Sequence, residues 1–251
     1  MDLSAKQYVE LFHLMFLRQF SGHIAANLYA IKGGCNLRFF FQSIRYSEDL
    51  DLDIQIIQKQ TLEHKVNKIL TSSSLLKLLQ NHGITKIIAN PSKQTPTTQR
   101  WKIQLYIDRL KMPLATKIEF SRRHDKFQSE LGDINIQICQ RYSLPPSRLS
   151  HYKLCEAVAQ KILALAHRSL TQARDIFDLY HLLHIATQPK ISLEKNSLEK
   201  AEVALSSISF GDYKSQVVTF LEPAHQQMFD NKDYWKTITN KVLHYLRELK
   251  K

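Results

Sequence analysis

The stretch Leu28-Tyr29-Ala30-Ile31-Lys32-Gly33-Gly34-Cys35-Asn36-Leu37-Arg38, followed by Arg45-Tyr46-Ser47-Glu48-Asp49-Leu50-Asp51-Leu52-Asp53, decides how the rest of the chain is read. Leu28 to Ile31 is an apolar run with strand character. Gly33 and Gly34 allow a tight strand-to-helix turn and close approach of the backbone to a ligand. A helix starting near Cys35 would turn free N–H groups toward that bend, which suits a phosphate. Side chains alternate along a strand, so Asp49, Asp51 and Asp53 share one face, with Leu50, Leu52 and Ile54 on the other. Three like charges on one face repel one another. A bound cation is the simplest remedy, and Mg²⁺ takes one or two protein carboxylates and fills its shell with substrate phosphates. A Gly-rich turn for a triphosphate, followed by paired carboxylates for a metal, is what nucleotidyl transfer requires. Each half alone has an ordinary reading, as a turn or as a solvated edge strand.

Gly33-Gly34, Leu37-Arg38 and Arg45-Tyr46-Ser47-Glu48-Asp49-Leu50-Asp51 together resemble the AbiEii/AbiGii-type nucleotidyltransferase family. That family holds the toxin halves of bacterial toxin–antitoxin and phage-abortive systems. Its pattern is Gly-Gly, a small helical segment, then Arg-x-Ser-x-Asp-x-Asp. Here Cys35-Asn36 stands where the family often has Thr-Ala, which removes any hydroxyl contact at position 35. The resemblance implies an α+β fold, with a nucleotidyltransferase-like mixed sheet and flanking helices, then a C-terminal helical bundle closing over the nucleotide. It implies catalytic Asp49 and Asp51 as ligands of Mg²⁺ (or Mn²⁺), and Gly33, Gly34, Arg38 and Ser47 as nucleotide contacts. It also implies an NTP substrate, a hydroxyl acceptor such as the 3′ end of tRNA, a cognate antitoxin and a role in phage defence.

Two later segments extend the resemblance. In Lys117-Ile118-Glu119-Phe120, alternation sets Lys117 and Glu119 on one face and Ile118 and Phe120 on the other. Glu119 is the candidate third carboxylate, a general base or a ligand of a second metal. A salt pair on an exposed sheet face is its ordinary reading. Further on, Ala157, Lys161, Ala164 and Arg168 form a stripe at helical spacing. The family carries a Lys and an Arg at such places, followed by Arg-Asp-x-x-Asp, matched here by Arg174-Asp175-Ile176-Phe177-Asp178. Lys161 is thus a catalytic and nucleotide-binding candidate and Arg168 a nucleotide-binding one. Asp175 and Asp178 read as structural, with Asp175 as a helix cap and Asp178 paired to Arg174.

The whole chain of 251 residues is 43% hydrophobic, with 6 Gly and 7 Pro, so its composition is globular. The net charge of +12 favours a polyanionic partner, RNA or nucleotide phosphates. Arg122-Arg123-His124 is a candidate RNA-backbone contact. Cys35, Cys139 and Cys155 show no CxxC or metal spacing, read as ordinary small side chains and suit a reducing cytoplasm. No signal sequence and no membrane-length apolar run is expected.

The spacing predicts a helix from about Ala5 to Phe20, capped by Ser4, with His13 at the surface. Helices are expected from Gln58 to Leu79, broken and re-capped at Ser72-Ser73-Ser74, with a stop at His82-Gly83. Ile84–Ala89 and Lys102–Asp108 read as strands around a polar loop, Asn90–Gln99. Ala115–Phe120 and Asp133–Cys139 read as further strands. Ser143-Leu144-Pro145-Pro146 is the expected boundary between an α/β domain, 1–144, and a helical domain, 145–251. Leu154–His167, Ser197–Leu205, Tyr213–Leu221 and Tyr234–Leu249 have helical spacing. Two rival readings stand beside the enzyme: a catalytically silent nucleotide- or RNA-binding module, and nucleotidyl transfer to a protein side chain.

Overall fold

The computed structural model describes residues 3–122, 127–185 and 191–251. The chain divides into two compact units: Met1–Phe40 with Tyr46–Tyr152, and Phe41–Arg45 with Lys153–Lys251.

The first unit is built on a mixed sheet in the order β3-β4-β5-β2-β1-β7-β6. Its strands are β1 (Tyr29–Lys32), β2 (Leu50–Ile54), β3 (Ile84–Gln94), β4 (Thr98–Ile107), β5 (Leu114–Ser121), β6 (Ser129–Asp133) and β7 (Arg148–Tyr152). β2 runs antiparallel to β1 and parallel to β5. Among the described residues the α-helices of this unit are α1 (Ala5–Ser21), α2 (Gly33–Phe40), α3 (Lys59–Leu70), α4 (Ser73–Gln80) and α5 (Ile136–Arg141). Ser4 and Gln7 form a capping box that starts α1, and Ser72 caps α4 by accepting from the Leu75 amide.

α1 is buried on nearly every side, not on a single face. Phe12, Phe16, Phe20 and Leu17 are all inaccessible. Each such side chain contributes about 1.5–3 kcal/mol. That gain carries two polar passengers, Glu10 and His13, which are buried with them. His13 is therefore not a surface residue. One apolar stripe suggested one buried face, but α1 packs against α3, α4 and β5 together.

Three further expectations change. The polar loop expected over Asn90–Gln99 is largely strand, because β3 extends to Gln94 and β4 begins at Thr98. Pro91 is tolerated since β3 is an edge strand and its pairing with β4 is irregular between Asn90 and Lys93. The strand expected over Asp133–Cys139 is instead the end of β6 followed by α5, which Asn135 caps by accepting from the Gln137 amide. The double proline precedes β7, which pairs with β1 and β6, so the first unit runs on to Tyr152.

The second unit is helical: α6 (Leu154–His167), α7 (Ala173–Ile185), α8 (Lys195–Ser206), α9 (Phe210–Gln216), α10 (Pro223–Phe229) and α11 (Lys232–Glu248). α6 packs on α7 and α8, and α11 packs on α7, α8 and α9. Trp235 of α11 stacks on Tyr213 of α9 with ring centroids 4.4 Å apart. Among the described residues no helix is long and apolar enough to cross a membrane.

Candidate active site

Alternation along β2 turns Leu50, Leu52 and Ile54 into the core and leaves Asp51 half-buried on the opposite face. Strand register then lines up four charged residues. Lys32 of β1 faces Asp51 of β2, Asp51 faces Glu119 of β5, and Glu119 faces Arg100 of β4. The row reads plus, minus, minus, plus, with the two carboxylates adjacent.

The cations in and around this row are already engaged. Arg100 Nε donates to Glu119 Oε2 at 2.6 Å. Lys117 Nζ lies 2.7 Å from Asp49 Oδ2. Lys32 Nζ donates to Asp53 Oδ1, and the Tyr152 hydroxyl donates to Asp53 Oδ2 at 2.5 Å. Asp53 is buried, so of Asp49, Asp51 and Asp53 it is the one enclosed with two partners. Asp51 has no hydrogen bond or ion pair to any described residue. Burial, then the charges of Asp49 and Glu119, push its carboxyl above the ordinary value, with Lys32 and Lys117 opposing. Its charge is short of compensation.

Gly33 opens α2 at φ +65°, a conformation that suits glycine. A Cβ there would sit 3.1 Å from Asp51 Oδ2, so the bare backbone gives the carboxylate its room. Gly34 follows as the second residue of α2.

The main chain entering β2 is held by side-chain donors. The Ser47 hydroxyl donates to Asp49 O at 2.8 Å, and the Cys35 thiol lies 3.3 Å from the same oxygen. The Thr116 hydroxyl donates to Glu48 O at 2.7 Å, and His13 Nε2 lies 2.8 Å from that hydroxyl oxygen. Cys35 Sγ is 3.7 Å from His13 Nδ1. Burial pulls the His13 imidazole down to about 3, so it is neutral, and pushes the Cys35 thiol well up.

Arg38 does not point to this face. Its Nε donates to Glu10 Oε1 at 2.6 Å, both side chains are buried, and the guanidinium covers the Tyr46 ring. A phosphate contact from Arg38 would need that buried pair broken, at about 3–5 kcal/mol. Arg38 is thus engaged in a buried pair with Glu10.

Among the described residues no three His, Cys, Asp or Glu side chains converge as a metal centre. Asp49 and Asp51 nonetheless suit Mg²⁺, which takes only one or two protein carboxylates. The uncompensated Asp51 carboxylate is the observation that makes the fit.

In the second unit, Lys161 Nζ lies 2.9 Å from Asp175 Oδ1 and 2.6 Å from Asp178 Oδ2. Arg168 Nε lies 2.9 Å from Asp175 Oδ2. Arg45, from the segment Phe41–Arg45, holds Asp178 with two bonds, Nε to Oδ1 at 2.9 Å and Nη2 to Oδ2 at 2.8 Å. Both aspartates are fully buried. Burial alone would raise the Asp178 carboxyl, but Arg45 and Lys161 outweigh it and hold the group well below the usual carboxylate range. The structural part expected of Asp175 and Asp178 agrees with this, with Arg45 and Lys161 as Asp178's partners. Sequence reasoning missed Arg45 as that partner, since 133 residues separate it from Asp178.

Arg122 donates to Ile57 O and Gln99 Oε1. Arg123 and His124 lie outside the described residues.

The fold resembles solved structures across nearly its whole length. JHP933 from Helicobacter pylori aligns with TM-score 0.63 and 18% identity, covering 99% of this chain and 94% of that one. MenT4, a nucleotidyltransferase toxin from Mycobacterium tuberculosis H37Rv, aligns with TM-score 0.67 and 18% identity, covering 97% and 83%. No curated protein matches the sequence. The family model for the nucleotidyl transferase AbiEii toxin of type IV toxin–antitoxin systems matches residues 16–245, which takes in both units and every candidate residue above. The chain belongs to the AbiEii nucleotidyltransferase toxin family.

Proposed function

We propose that the protein transfers a nucleotidyl group from an NTP to a hydroxyl of RNA, such as the 3′ end of tRNA, with Mg²⁺ or Mn²⁺ held by Asp49 and Asp51. The observation that carries this reading is Asp51: a half-buried carboxylate with no partner among the described residues, beside a second aspartate and against the bare backbone of Gly33. When bound, the metal supplies charge neutralisation of the triphosphate and stabilises the attacking and leaving oxygens. The amides of Gly33 and Gly34 at the start of α2 would bind phosphate oxygens. Ser47 keeps the Asp49 main chain in place through its hydroxyl proton, and its oxygen lone pairs stay available to a ligand. Glu119, opposite Asp51 in register, would take the proton of the attacking hydroxyl, with Arg100 orienting it. In the second unit three cations, Arg45, Lys161 and Arg168, bind two carboxylates, Asp175 and Asp178. The surplus positive charge supports Lys161 and Arg168 as phosphate-attracting groups. The net charge of +12 supports an RNA acceptor. As a member of a type IV toxin family, the protein would work beside a cognate antitoxin in bacterial defence against phage.

The test is incubation of the purified protein with each α-labelled NTP, Mg²⁺ and either total RNA or total protein. Label should enter RNA with wild type and not with Asp51→Asn. Label in protein alone would move the acceptor, and no label in either fraction would leave a silent binding module.

A further inference from the structure

The strongest unclaimed feature is a buried imidazole under the candidate active site. His13 sits in the middle of α1, inaccessible to solvent, with no part in the reaction proposed above. Its hydrogen bonds can be assigned by proton counting. A threonine hydroxyl has one proton. Thr116 gives that proton to Glu48 O at 2.7 Å. At 2.8 Å from the same hydroxyl oxygen, His13 Nε2 must therefore be the donor. A neutral imidazole carries one N–H, so His13 Nδ1 is the bare nitrogen, facing the Cys35 thiol at 3.7 Å. The chain of donors runs one way, from His13 to Thr116 to the Glu48 carbonyl. Cys35 and Ser47 converge on the next carbonyl, Asp49 O. Two consecutive peptide oxygens are thus clamped immediately before β2, and one of them belongs to Asp49 itself.

We propose that His13 and Thr116 are positioning residues of the catalytic centre: through the Glu48 carbonyl they fix the main chain from which the Asp49 carboxylate reaches the metal. The proposal rests on the reading of Asp49 as a metal ligand. Three elements distant in sequence, α1, β5 and the segment before β2, meet at one peptide group. A hydrophobic residue at position 13 would fill the same space within α1. A donor aimed at Thr116 occupies the acceptor side of the hydroxyl and leaves its proton for Glu48 O. Partners that orient metal ligands typically change metal affinity by about 10–100-fold when removed.

The experiment measures two quantities on one set of proteins. Uptake of Mn²⁺ alone is followed by loss of the free-ion paramagnetic resonance signal. The ¹⁵N shifts of His13 report its tautomer. Wild type should show a protonated Nε2 and a bare Nδ1, and Asp49→Asn should lose Mn²⁺ uptake. Thr116→Val should weaken Mn²⁺ binding about 10–100-fold, while Thr116→Ser, which keeps the hydroxyl, should stay near wild type. His13→Gln, which keeps an N–H donor, should bind Mn²⁺ better than His13→Leu. If Asp49→Asn binds Mn²⁺ like wild type, the reading of Asp49 falls and this proposal falls with it. If Asp49→Asn loses the metal but folded Thr116→Val keeps wild-type affinity, the positioning role alone is overturned. A wild-type His13 protonated on Nδ1 reverses the donor chain and overturns it without any variant, even where Thr116→Val does not fold.

Discussion

Asp49 and Asp51 of the sheet unit and Asp175 and Asp178 of the helical unit share one pattern: two close aspartates with basic residues nearby. Their surroundings are opposite. Asp178 is fully buried and clamped by Arg45 and Lys161, which hold its carboxyl below the ordinary range. Asp51 is half-buried with no partner among the described residues, and burial and Asp49 hold its carboxyl above that range. A buried carboxylate whose partners are complete stabilises the structure it sits in. One left short of cations costs stability, and a cation supplied from outside can offset that cost. Charge balance, more than residue type, separates a structural aspartate from a ligand-binding one.

The sharpest way to break this comparison is Asp178→Asn. The variant takes away the buried negative charge that Arg45 and Lys161 share and should destabilise the protein by about 3–5 kcal/mol in urea unfolding. A variant as stable as wild type would remove the structural half of the contrast.

Lys161→Ala is milder, since Asp175 keeps Arg168 and Asp178 keeps Arg45. A cost of about 1.5–3 kcal/mol is expected for its charged hydrogen bonds. NTP binding should weaken in the same variant, and unchanged NTP affinity beside the loss of stability would leave Lys161 a structural residue only.

Acid should act on His13 and Asp178 at different pH. His13 titrates at about 3 when folded and near 6.5 when unfolded. Below about pH 6.5 the unfolded chain therefore binds a proton that the folded chain refuses, and stability falls as pH drops, by about 1.4 kcal/mol per unit. Asp178 has a lowered folded value, so its stabilisation persists above the unfolded carboxylate range and disappears only below it. Between pH 6 and 4.5 wild type should lose about 2 kcal/mol more than His13→Gln, measured by urea midpoints. Equal losses would mean that His13 is protonated in the folded protein.

The smallest stability effect belongs to Asp51→Asn. Removing an uncompensated charge should leave apo stability unchanged or raise it by less than about 1 kcal/mol, while nucleotidyl transfer collapses. Early melting with normal turnover would mean that Asp51 is a structural residue.

Much of the fold was legible because its signals are local. Ser4 and Ser72 marked helix starts, alternation from Leu50 to Ile54 and from Lys117 to Phe120 marked strands, and Gly33 marked the turn. What failed depends on contacts made far along the chain. His13 reads as a surface residue until Thr116 and Cys35 supply its partners. Asn90 to Gln94 read as loop because Pro91 is a breaker everywhere except on an edge, and edge position is a property of the whole sheet. Asp178 reads as the partner of Arg174 on its own helix, and nothing local announces Arg45.

That last pairing has a consequence for how the protein is made. Arg45 leaves the ribosome 133 residues ahead of Asp178. At about 5–20 residues per second, its guanidinium waits roughly 7–27 s for the carboxylate that holds it. The strand bearing Asp51 emerges within the same interval, while the segment Phe41–Arg45 just before it still lacks the second unit to which it belongs. Completion of this toxin is thereby tied to translation of its α7 helix, and a nascent chain stalled before that point carries the acidic motif without the anchor for Arg45.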